Sequence, residues 1–451
     1  MNGGGETTRP TPKGAWADRP PGLPAAVPPP SIPLGFLFAA AIGMVGCGVA
    51  LWATASIAVV APTADPVVMA VHLGMLATIS MGVMGALHQF VPVITQRPLR
   101  SVRLAWITLA AWLAGSWLMP AGIGLQAEPV VETGALFAVV GIVALVVNLG
   151  SALSVRGKGT SVVGIRLALL GLVVTAAFGS LYVADRRGGW FVLSGSVVLG
   201  HAVIALVAWL GLSYVSIAEK LWPMFFLAHL PGRRRSGQVA VWAVPIGAAM
   251  VSSALLLRSG LLGAAGGAVL GAGVVAHLVS LVLHLRHRRR KVGLHFVFVT
   301  TSAAWLVVAA ALAVAGGADE VYHFANLAPL AAAAVAATAA WLLEALVGHA
   351  YKVVPFIAWS LLRARGIASN AEGKQLGFAD LYNHRWAVTS YVVLTLGLVG
   401  IVGGLVISAG AVVAAGALGL AVTAAIGAAN LAAVPSAMLW QRRLEVSSDN
   451  S

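Results

Sequence analysis

Long apolar runs follow one another along this chain, each broken by a short polar connection. They fall near 34–61, 66–95, 104–123, 130–153, 163–184, 190–218, 238–257, 261–284, 294–315, 322–360, 386–408 and 411–440. About 20 helical residues cross a hydrocarbon core of about 30 Å, and every run reaches that length. Leu, Ala, Val and Gly fill the runs without the alternation of a barrel strand. Lipid offers no partner to a backbone amide, so continuous runs of this kind are helices. The pattern predicts an all-α integral membrane protein, a bundle of about twelve transmembrane helices.

Composition agrees. Hydrophobic residues make up 59% of the 451 and charged residues only 9%, against roughly 25% charged in soluble domains. The net charge of +14 does not point to nucleic acid, because the cations sit in connections between spans. Arg97, Arg100 and Arg103 follow the second span, and Arg156, Lys158 and Arg166 the fourth. Arg233 to Arg235 follow the sixth, Arg286 to Lys291 the eighth, Lys374 the tenth, and Arg442 and Arg443 the twelfth. Arg186 and Arg187 are the exception. This bias predicts a multi-pass protein of the cell membrane with both termini cytoplasmic and the bilayer as its main partner. Residues 1–33, rich in Pro and Gly, read as a disordered cytoplasmic arm, residues 34–440 as the membrane domain and 441–451 as a cytoplasmic tail. Cys47 reads as a packing residue. No repeat with a clear period emerges, and the 52 glycines read as helix-packing contacts.

Eleven histidines in so apolar a chain are the informative chemistry. His229, His284, His287, His295 and His384 lie in or beside cation-rich connections and read as interfacial. His277, within span eight, reads as hydrogen-bonded to a neighbouring helix. Five others lie in spans or at their ends, where an ionisable group is costly and marks function by default. His72 falls roughly 10 Å into span two and His88 about 24 Å further on. His201 is expected near mid-membrane, His323 at the outer mouth of span ten and His349 near its inner end. His72 and His323 thus share one leaflet, and His88 and His349 the other. Two facing imidazoles at one depth are what bis-axial ligation of haem iron needs. Gly82 and Gly85, beyond His72, are expected to leave room for a flat macrocycle. Glu344 is a buried carboxyl, a candidate for a proton path or for a hydrogen bond between helices.

With His72, Gly82, Gly85 and Pro92 in span two, Gly200-His201 in span six and Tyr322-His323-Phe324 in span ten, the chain resembles the haem–copper oxidase catalytic subunit, cytochrome c oxidase subunit I. The resemblance implies twelve helices, His72 as ligand of a low-spin haem of the b type, His323 as its partner on that haem or as the ligand of a high-spin one, His201 at the position of a copper ligand, and a redox protein or other oxidase-type subunits as partners. The sequence departs from the family in Ala202-Val203-Ile204 after His201, in Ala205 where a tyrosine is expected, and in the lack of histidine across 237–257. Copper is therefore not expected, and neither is terminal oxidase activity. Three functions stay open: electron transfer through haem in respiratory or denitrification chemistry, proton-coupled transport, and an assembly or scaffold role for an oxidase without haem.

Overall fold

A computed structural model describes residues 28–448 other than 156–158, 191–193, 229–234, 292, 323–327, 370–372 and 374. Among the described residues twelve helices are long and apolar enough to cross a membrane. They are α1 (Ser31–Ala58), α2 (Asp65–Thr95), α3 (Val102–Gly124), α4 (Glu128–Leu153), α5 (Gly159–Gly188) and α6 (Gly195–Phe226). After these come α7 (Arg235–Leu257), α8 (Gly260–Arg286), α9 (Leu294–Gly317), α10 (Pro329–Ala364), α11 (His384–Val406) and α12 (Gly410–Ala432). The protein is an all-α membrane bundle, as the hydropathy pattern predicts.

Several edges move. Residues 1–27 of the expected arm lie outside the described residues, whereas helix already begins at Ser31, with Pro33 in a first turn that needs no amide donor there. The last helix runs on to Ser448, into the expected tail, because a helix can outlast its apolar stretch. The sixth span begins at Gly195 rather than near 190.

The twelve helices form three four-helix units, α1–α4, α5–α8 and α9–α12, which the sequence pattern does not reveal. In each unit the third and fourth helices pack as a hairpin and the first lies against the second; α1 also packs on α12. The second helices share a register about a proline. Four residues before Pro92, Pro223 and Pro355 stand His88, Glu219 and Tyr351; seven before stand Gly85, Ser216 and Gly348. A Cβ on Gly85 would collide with Phe36 of α1, and one on Gly348 with Phe298 of α9. The small residues let the first and second helices of a unit approach closely. In the middle unit the roles exchange, and it is Gly164 of α5 that faces Ser216.

Two second helices also carry the same irregularity. Residues Leu73–Ser80 in α2 and Ile204–Gly211 in α6 are π-helical, and each segment leads into a 15-residue α-helix. A π segment pairs an N–H with the carbonyl five residues earlier, as the Met81 N–H does with Leu76 O. Trp112 Nε1 of α3 donates to Leu76 O at 3.0 Å. Trp209, inside the second π segment, donates to Ser80 Oγ, inside the first, at 3.1 Å. The two irregular helices are therefore joined deep in the bundle.

The hairpins repeat a cap. Asn148 of α4 accepts the Ser101 N–H at 2.9 Å, and Asn430 of α12 accepts the Asn383 N–H at 2.8 Å. Ser101 and Asn383 are themselves the N-caps of α3 and α11.

Candidate functional site

Backbone geometry sets what the histidines can do. His72 Nδ1 pairs with Val68 O at 2.8 Å, His88 Nδ1 with Met84 O at 2.8 Å and His349 Nδ1 with Ala345 O at 2.7 Å. A carbonyl can only accept, so each Nδ1 carries the proton and each Nε2 holds a lone pair, as a metal-binding imidazole requires.

At the end of the bundle that bears Asp65, His72 closes the first α-helical stretch of α2 and His201 lies in the first turns of α6. Both are about 10 Å from the start of their helices. His201 is thus not near mid-membrane, as expected from a span starting at 190; the later helix start brings it to the depth of His72. His201 Nδ1 is buried without a partner, and the Tyr182 ring sits edge-on to it at 5.6 Å. Gly179 faces His201 so openly that an added Cβ would meet only the ring Cε1, at 3.6 Å. His323, the expected partner of His72, lies outside the described residues.

Gly82 and Gly85 do not hold space for a macrocycle. A Cβ on Gly82 would stand 2.7 Å from the Leu346 methyls of α10, and Gly85 is filled by Phe36. Neighbouring helices occupy both positions. A glycine that admits a helix and one that admits a cofactor are identical in sequence.

Arg186 and Arg187, the exceptions to the cation bias, are paired. Arg186 bridges Glu128 at 2.9 Å and Asp65 at 3.4 Å, and Arg187 pairs with Glu132. These ties among α2, α4 and α5 offset the two cations locally.

Toward the arginine-rich end, His88 is fully buried, stacks on Phe36 at 5.1 Å and leaves Nε2 without a partner. His349 faces α6, with its ring 5.8 Å from Tyr214 and 6.4 Å from Phe225. His88 and His349 have separate surroundings. His277 shares Tyr214, lies tilted against Trp222 at 4.8 Å and edge-on to Trp341 at 6.1 Å, while its Nδ1 has no partner. His284, expected at the interface, is wholly buried with Nδ1 on Ser280 O at 2.7 Å. His295 is half-buried beside Phe296, at a ring distance of 3.9 Å, while His287 and His384 are exposed as expected. Sequence reading missed this aromatic setting because Tyr214, Trp222 and Trp341 look like ordinary core residues. Lys352 lies with Nζ 5.8 Å from the Phe225 ring centre.

The proline register gives His88 a structural reading as well. Its counterparts are each tied to a later helix of their unit: Glu219 accepts from Ser280 of α8 at 2.7 Å, and Tyr351 donates to Ser390 of α11 at 2.9 Å. In the first unit both the His88 Nε2 and the Asn148 Nδ2 are left without a partner.

Glu344 of α10 is fully buried near the middle of the bundle; its Oε1 accepts from Thr395 of α11 at 2.9 Å, and its Oε2 has no partner. The expected hydrogen bond between helices is thus present on one oxygen. Among the described residues no three His, Cys, Asp or Glu side chains group as a metal site. No protein-family model matches the chain, and no curated protein matches it.

Proposed function

We propose that this chain is a haem-binding membrane protein that passes electrons, and that His72 and His201 would hold the haem iron. The observation that carries the reading is the pairing of two imidazoles at one depth, on the two helices that carry π segments. The Val68 carbonyl holds the His72 ring in one tautomer and turns its Nε2 lone pair outward. His201 brings a buried nitrogen with no protein partner, and Gly179 leaves van der Waals room beside its ring. These residues fit an iron porphyrin of the b type, which would supply one-electron chemistry at an iron closed on both faces. His201 takes the place of His323 in this pair because it stands as far into α6 as His72 does into α2. Kinship with the oxidase catalytic subunit, and a redox protein or oxidase-type subunit as partner, belong to the same proposal.

The test is spectral. Protein purified from haem-replete cells is expected to show a Soret band that shifts on reduction with dithionite. A colourless, folded preparation would remove the proposal.

Glu344 favours a second reading, proton movement, because one oxygen of a wholly buried carboxyl lacks a partner. In proteoliposomes under an imposed potential, that reading expects proton uptake that Glu344→Gln reduces at least tenfold. Equal uptake by both proteins, or none by either, would leave Glu344 as a structural contact to Thr395.

A further inference from the structure

A cavity of about 310 Å³ lies between α1, α2, α10 and α12, at the seam of the first and third units. It is lined almost wholly by apolar side chains, among them Met44, Leu346 and Ala424, and Phe38 at its edge is 57% exposed on the outer surface of the bundle. Its volume is at the lower end of small-molecule sites, about 300 to 1,000 Å³. Two threonines line it. Thr78 is satisfied by Leu73 O at 3.2 Å. Thr423 is only 1% exposed, and its Oγ has no partner.

The unpartnered hydroxyl separates this cavity from a gap between helices. Thr54, Thr95, Thr108, Thr175 and Thr338 all return their hydroxyl to the carbonyl four residues earlier, at 2.8 Å. That bond is open to any helical threonine, and Thr423 does not make it. Leaving a buried hydroxyl unsatisfied costs about 1–3 kcal/mol, so a ligand with an acceptor would recover what the protein leaves unused.

Depth selects the ligand. Thr423 and Thr78 each lie thirteen residues, about 20 Å, into helices that start at the Asp65 end. The ester carbonyls of phospholipids stay near the interface, and acyl chains carry no acceptor. An acceptor at this depth belongs to a molecule dissolved in the membrane interior. We propose that the cavity binds the ring of a lipid-soluble quinone, with Thr423 Oγ donating to one carbonyl oxygen and the apolar walls of α1, α10 and α12 covering the ring and the first part of its tail. The site stands on the cavity and on Thr423 alone. Its failure would leave the haem reading untouched, and the converse holds.

The test uses the full chain in nanodiscs of quinone-free lipid, titrated with a benzoquinone bearing a short alkyl tail and followed by the thermal-unfolding midpoint. Saturable stabilisation is expected. Thr423→Val, which keeps the shape and removes the donor, should weaken binding by roughly three- to tenfold. Gly427→Leu should abolish it, since a Cβ at Gly427 has room (its nearest neighbour is the Tyr351 hydroxyl at 3.7 Å) and the longer side chain would fill the space. An alkane of the same tail length should not compete. Unchanged affinity in Thr423→Val, equal binding of the alkane, or no saturable binding would each overturn the proposal.

Discussion

Replacing His72 by alanine is expected to remove most of the Soret absorbance per polypeptide, and replacing His201 should do the same. An iron that loses one of two axial imidazoles keeps an open position, so any residual haem should bind carbon monoxide, which the parent protein should not. Both variants should reach the membrane in normal amounts, because each side chain is only half-buried and stands in the first turns of its helix. His349→Ala, which alters an aromatic pocket on the far side of the bundle, should leave the band unchanged. Equal loss in all three variants would mean that the band reports folding rather than ligation. Absorption spectra normalised to haem and protein content decide between these outcomes.

The other large effect concerns the close approaches within the units. Gly348→Leu should prevent accumulation of folded protein, and Gly85→Leu should behave alike. In both cases the new side chain would have to occupy the volume of a phenylalanine on the unit's first helix, Phe298 or Phe36. Overpacking in a well-filled core usually costs about 1–3 kcal/mol, and a clash that begins at Cβ, against a neighbouring Cβ, leaves little freedom to relax. Alanine at either site should already lower the unfolding temperature. At Gly179, where the added Cβ meets nothing closer than 3.6 Å, alanine should be tolerated. Expression and thermal unfolding in detergent measure the contrast; tolerance of Leu at Gly348 would contradict the packing described.

The architecture was legible because the membrane imposes it. A chain with twelve apolar runs and short connections has few ways to satisfy its backbone in lipid, and the helices follow the runs to within several residues. The threefold internal organisation was not legible. Its units are related by register and shape rather than by residue identity: His88, Glu219 and Tyr351 occupy one position, and Gly85, Ser216 and Gly348 another. The constant element, a proline late in the second helix, is too sparse to show as a period.

The candidate site was legible in part. Helix rise put His72 about 10 Å into α2, where the structure has it, but the position of His201 along α6 depended on where that helix begins, and the apolar residues before Gly195 read as span. Depth also says nothing about which way a ring points. His88 and His349 match in level yet belong to different pockets, one under Phe36 and one beside Tyr214. The mismatch of Arg186 and Arg187 with the charge bias had its own explanation in Asp65, Glu128 and Glu132, which lie on other helices and far away in sequence.

The most direct measurement is an experimental structure of protein purified from haem-replete cells, read at α2 and α6. With iron–nitrogen bonds of roughly 2 Å, as for zinc–imidazole bonds, the coordinating nitrogens of His72 and His201 should stand about 4 Å apart with planar density between the rings. Rings in direct contact, or separated by lipid or protein side chains with no such density, would contradict the axial pair and with it the electron-transfer function.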